Sequence, residues 1–90
     1  MAPETKRIAV TLETLLDSVE LAEDITLRVA EAAGFDEDNR YRIGMSVREA
    51  MINAVEYGNQ HSRSKKIFLV LELNGNKLVI RVRDAQEQKR

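Results

Sequence analysis

Apolar residues change their period twice along this chain, from two to helical and back to two, and the changes separate its strands from its helices. Ile8, Val10 and Leu12 alternate with Ala9 and Thr11, which predicts a short first strand. Asp17 is placed as the N-cap of a helix, with Glu20 three residues on completing a capping box. Val19, Ala22, Ile25, Val29, Ala30 and Ala33 then recur at helical spacing, among the charges Glu20, Glu23, Asp24 and Arg28. Gly34 stops this helix in the C′ position, where Phe35 folds back on the last turn. Asp36 opens a second helix, with Glu37 and Asp38 near the positive end of its dipole. Ile43, Val47, Ala50, Met51 and Ala54 form its core-facing arc, and Gly58 is read as its C′ residue. Met45 and Ile52 fall on nearly the opposite side, so they meet a partner subunit, or the helix is covered on two sides, or they are single exposed apolar residues of the ordinary kind.

After a polar loop over Gln60 to Ser64, Lys66 to Leu73 alternates with Ile67, Leu69, Leu71 and Leu73 on one face. Asn74-Gly75-Asn76 predicts a hairpin turn, and Lys77 to Arg83 returns with Leu78, Ile80 and Val82 inward. Phe68, Val70 and Val79 share the other face with Glu72, Arg81 and Arg83, which makes that side half-wet. The order β-α-α-β-β predicts an α+β fold, a two-layer sandwich of two helices on one face of a small mixed sheet.

Composition narrows the function. Ninety residues make one small domain. A formal net charge of −1 argues against a general nucleic-acid or acidic-membrane surface. With no cysteine and one histidine, thiolate and multi-histidine metal sites are excluded. Met1 to Arg7 lacks the apolar run of a signal peptide, and no stretch reads as a membrane span, so a cytoplasmic protein is expected.

The candidate chemistry lies on the second helix. Glu49 and Asn53 are one helical turn apart, about 40° around the axis. A carboxylate takes a proton and an amide oxygen is a hard ligand for Mg²⁺, so the pair suits metal-assisted phosphoryl chemistry. The same spacing also describes a solvated polar stripe on an ordinary helix, the commoner case. His61 and the basic run Arg63, Lys65 and Lys66 read as a solvated loop face, and Tyr57 alone as a half-buried packing residue.

The string Glu49-Ala50, Asn53-Ala54, Tyr57-Gly58-Asn59, set between the two helices and a hairpin ending Ile80-Arg81-Val82-Arg83-Asp84, resembles the N-box E-x-x-x-N-A-x-x-H/Y-G-N of the GHKL (histidine kinase-like) ATPases. Within that group it is most similar to the anti-sigma-factor serine/threonine kinases of the RsbW and SpoIIAB type. The resemblance implies a partial Bergerat fold over residues 1–90, with ATP and Mg²⁺ as cofactors. It implies Glu49 as the catalytic carboxylate, Asn53 as the Mg²⁺-coordinating amide, Asp84 as the acceptor for the adenine amino group, and Tyr57 beside the nucleotide. It further implies protein partners, a sigma factor and an anti-anti-sigma protein, in bacterial transcription regulation by partner switching. One departure stands out: where the family carries D-x-G-x-G, this sequence has Gln86 and Gln88 after Asp84. A Cβ at those positions removes the close backbone approach that glycine allows. The family's lid and second glycine-rich motif are not found in these residues, so nucleotide binding and catalysis are expected to be impaired. A non-catalytic interaction module and a small domain of unrelated function stay open beside the kinase reading. An unpaired strand Lys77 to Arg83, or the Met45/Ile52 face, leads to the expectation of a homo-oligomer.

Overall fold

The structure is a computed structural model, and it describes residues 5–85. Strand β1 (Thr5–Glu13) is followed by helices α1 (Asp17–Ala32) and α2 (Glu37–Asn53). A π-helical turn over Ala54–Gly58 extends α2, and strands β2 (Lys66–Asn74) and β3 (Lys77–Arg83) complete the fold. The strands form one sheet in the order β1-β2-β3.

Both pairings are antiparallel, which corrects the expectation of a mixed sheet. The reason is the helical hairpin between β1 and β2. One helix carries the chain away and the other brings it back, so β2 starts beside the end of β1, with Glu13 opposite Lys66. The first strand is also longer than its alternating segment, because the whole of Thr5–Glu13 finds partners along β2.

Register places the apolar positions of all three strands on one face. Leu69 lies opposite both Val10 and Val82, Leu71 opposite both Ile8 and Ile80, and Ile67 opposite Leu12. Ile67, Leu69 and Leu71 are buried beneath Val19 and Ala22 of α1 and Val47 and Met51 of α2. Each such side chain contributes about 1.5–3 kcal/mol by leaving water. On the opposite face Arg81 pairs with Glu72 across the hairpin, and Phe68 and Val79 stay half-buried, as the alternating pattern implies. Gly75 has φ +63 at the first position of the two-residue loop, the conformation a type II′ hairpin requires.

Helix ends differ in how closely they follow expectation. Asp36 caps α2 by accepting from the Asn39 amide at 2.8 Å. At α1 the cap position is Leu16, already in helical conformation, and no side chain caps it. Asp17 is instead the first helical residue, where it and Glu20 still favour the dipole. The Ser18 hydroxyl donates to the Glu13 carbonyl at 2.7 Å, tying the entry turn to the end of β1.

The two helices approach closely at Gly44, where a Cβ would come within 3.3 Å of Leu27 Cδ2. Arg48 bridges to Glu23 of α1 at 3.0 Å. Ile52 is therefore partly buried against the core from the α1 side, whereas Met45 is 54% exposed. The two do not share one open face, because α2 is covered by α1 as well as by the sheet. Among the described residues the outer edges of β1 and β3 have no strand partner, and no helix is long and apolar enough to cross a membrane.

Candidate functional site

Regular α-helical spacing ends at Asn53, and the next five residues widen into a π turn. The Asn59 amide donates to the Ala54 carbonyl at 2.8 Å, five residues back, and the His61 amide to Val55 at 2.8 Å. Gln60 and His61 then take left-handed backbone angles, φ 52 and φ 58. Such conformations cost a non-glycine residue about 1–2 kcal/mol each. This corrects the reading of Gly58 as the left-handed C′ residue: the reversal falls two residues later, on side chains that have a Cβ.

Gly58 answers a different demand. A Cβ there would lie 1.9 Å from Asp84 Oδ2. The carboxylate at the end of β3 thus sits directly against the backbone of the π turn, and only glycine leaves it room.

Asn59 holds this corner together. It is fully buried, and its Nδ2 donates to Thr14 Oγ1 at 2.9 Å and to the Lys66 carbonyl at 3.1 Å. Its Oδ1 accepts from the Ala85 amide at 2.9 Å. Thr14, also buried, donates its own hydroxyl hydrogen bond to the Lys65 carbonyl. One side chain therefore joins the end of β1, the start of β2 and the residue after Asp84. Buried amides left unpaired cost about 1–3 kcal/mol apiece, so complete satisfaction offsets the strain at Gln60 and His61. No buried side-chain polar atom among the described residues lacks a partner.

Between this corner and β3 lies an open cleft of about 420 Å³, lined by Ala50, Asn53, Ala54, Tyr57, Gly58, Val82 and Asp84. It adjoins a hollow of about 270 Å³ lined by Ser46, Val47, Ala50, Ile80 and Val82. Together they make a groove between α2 and β3 with Ala50 and Val82 common to both parts, Asn53, Tyr57 and Asp84 at one end and Ser46 at the other, a form that suits a small-molecule site.

Of the residues that the sequence singles out, Asn53, Tyr57 and Asp84 meet in this cleft. Tyr57 is 72% exposed, more open than a packing residue. Glu49 is exposed on α2, one turn before Asn53, and borders the cleft without lining it. His61 and Arg63 are exposed on the loop, with Arg63 3.8 Å from Glu13. Gln86 and Gln88 lie outside the described residues. No group of three acidic, histidine or cysteine side chains that could cage a metal exists among the described residues. One amide oxygen beside a carboxylate fits an ion that arrives with phosphate oxygens of its own, as Mg²⁺ does.

Sequence reasoning missed Thr14 altogether, and it named Asn59 only as the last residue of the motif, without its burial. A polar residue after a helix glycine reads as a solvated loop, and nothing in its spacing announces burial.

A family model described as histidine kinase-like ATPase domain matches residues 12–90. No curated protein matches the chain.

Proposed function

This chain belongs to the histidine kinase-like ATPase domain family, and from that premise we propose that it binds ATP in the cleft between α2 and β3 and acts as a serine/threonine-kinase-like anti-sigma regulator. The observation that carries the reading is the convergence of Asn53, Tyr57 and Asp84 on one cleft. Asp84 accepts a hydrogen bond from the adenine amino group, and Gly58 lets that carboxylate stand at the wall. Tyr57 covers the edge of the base. Asn53 holds Mg²⁺, which neutralises the charge on the phosphates when bound. Glu49, one turn away and open to solvent, takes the proton of an acceptor hydroxyl. In the transfer, the serine oxygen forms its bond to the γ-phosphorus as the bond to the bridging oxygen breaks. ADP leaves with that electron pair, and Glu49 keeps the proton.

The partners in this reading are a sigma factor and an anti-anti-sigma protein in a bacterial cytoplasm, and the chain self-associates. Sedimentation velocity at high concentration checks the last point, since a monomer there contradicts it. A second reading is favoured by Gln86 and Gln88 standing where the family has glycines. On that reading the domain binds its protein partner without nucleotide.

Calorimetric titration with ATP and Mg²⁺ separates the two. Saturable binding that Asn53→Ala weakens supports the ATP-dependent reading. No heat of binding at millimolar ATP overturns it and leaves the interaction module.

A further inference from the structure

Tyr41, Met45, Glu49 and Asn53 follow one another at every fourth position of α2. Successive members are about 40° apart, so they form a single shallow ridge along the helix. All four are exposed, with Tyr41 at 69% and Met45 at 54%. The ridge therefore runs from the cleft, through the carboxylate, onto two large side chains with apolar surface that the core does not use.

We propose that Tyr41 and Met45 are the docking surface for the polypeptide that presents the acceptor serine to Glu49, a proposal that rests on the reading of the cleft given above. The direction follows from the layout. Asn53, Tyr57 and Asp84 line the cleft at one end of the ridge, so an acceptor chain reaching Glu49 extends over the other end. Met45 stands about 6 Å from Glu49 along the helix axis and Tyr41 about 12 Å. An extended segment advances about 3.3 Å per residue. Met45 thus meets a residue about two positions from the serine, and Tyr41 one about four positions away. Methionine adapts to varied apolar partners, and tyrosine adds area with little loss of side-chain freedom.

Charge completes the specification. Arg48, on one flank, is already held by Glu23 at 3.0 Å. Arg42, about 60° round the helix from Met45 on the other flank, is exposed and forms no ion pair among the described residues. The segment that fits is a serine with apolar residues two to four positions to one side and an acidic residue near them.

A positional-scanning array of serine peptides tests this, using the full chain, γ-labelled ATP and Mg²⁺. The wild type is expected to label peptides with apolar residues two to four positions from serine about tenfold over the array mean. Met45→Glu should abolish that preference, and Tyr41→Ala should weaken it at the far position. Arg42→Glu should turn the acidic preference basic. ATP affinity, measured on the same samples by calorimetry, should stay within about twofold, since none of the three lines the cleft. An unchanged preference in all three variants overturns the docking surface, and so does the absence of labelling in a wild type that binds ATP. A wild type that binds no ATP overturns the cleft reading, and the docking surface falls with it.

Discussion

The two helices end in opposite ways. At the end of α1 the Gly34 amide bonds to Glu31 at 3.0 Å and the Phe35 amide to Ala30 at 3.0 Å. Gly34 has φ +91, and a Cβ built on it meets nothing within 4 Å. This is a Schellman stop, which needs glycine for its backbone angle alone. At the end of α2 the chain widens through a π turn and makes its left-handed reversal without glycine, at Gln60 and His61. Its glycine, Gly58, is spent on room for Asp84. One glycine turns the chain, and the other makes room for a carboxylate. The strained corner persists because Asn59 anchors it from inside.

That contrast is open to direct attack. The largest effect should come from Asn59→Leu, which keeps the branched shape but strands the Lys66 carbonyl and the Ala85 amide. We expect about 3 kcal/mol of lost stability in urea unfolding, together with loss of ATP binding. A loss below about 1 kcal/mol would show that the corner stands without its anchor. Gly58→Ala should follow, with about 1–3 kcal/mol of destabilisation from overpacking and an ATP affinity at least about tenfold lower, because Asp84 must move. Gly34→Ala should cost about 1 kcal/mol for the left-handed angle and leave ATP affinity as it was. Equal affinity losses in the two glycine variants would erase the distinction between the corners. Gln60→Gly should change stability least, by under about 0.5 kcal/mol, since relieved strain and added unfolded-state freedom nearly cancel.

The difference between the corners also explains what the sequence could reveal. The α1 stop was legible because Gly34 follows a helical apolar period and precedes Phe35, a local arrangement with one common solution. The strands and their core faces were legible for the same reason, since Ile67, Leu69, Leu71, Ile80 and Val82 carry the period of two. The cap of α1 was misplaced because Asp17 resembles a cap, while the turn through Thr14 and Leu15 enters the helix one residue earlier. The mixed sheet failed because strand direction depends on the helical hairpin, which no single segment encodes. At the candidate site, Asn53 was singled out by its spacing from Glu49, and Tyr57 and Asp84 by the resemblance to a family motif; that the three line one cleft needed the fold. The burial of Asn59 was not legible, because it depends on Thr14, Lys66 and Ala85, all distant from it or on another element. Gly58 was singled out for the wrong physical reason, since its contact with Asp84 spans the fold.

The most direct test compares the corners in one experiment, a titration of the ¹⁵N-labelled chain with ATP and Mg²⁺ followed by amide chemical shifts. The amides of Asn53, Tyr57, Gly58, Asn59 and Ala85 should move in saturable fashion while those of Ala33, Gly34 and Phe35 stay in place. Shifts concentrated at the α1 corner, or none at millimolar ATP, would contradict the assignment of the α2 corner as the nucleotide site.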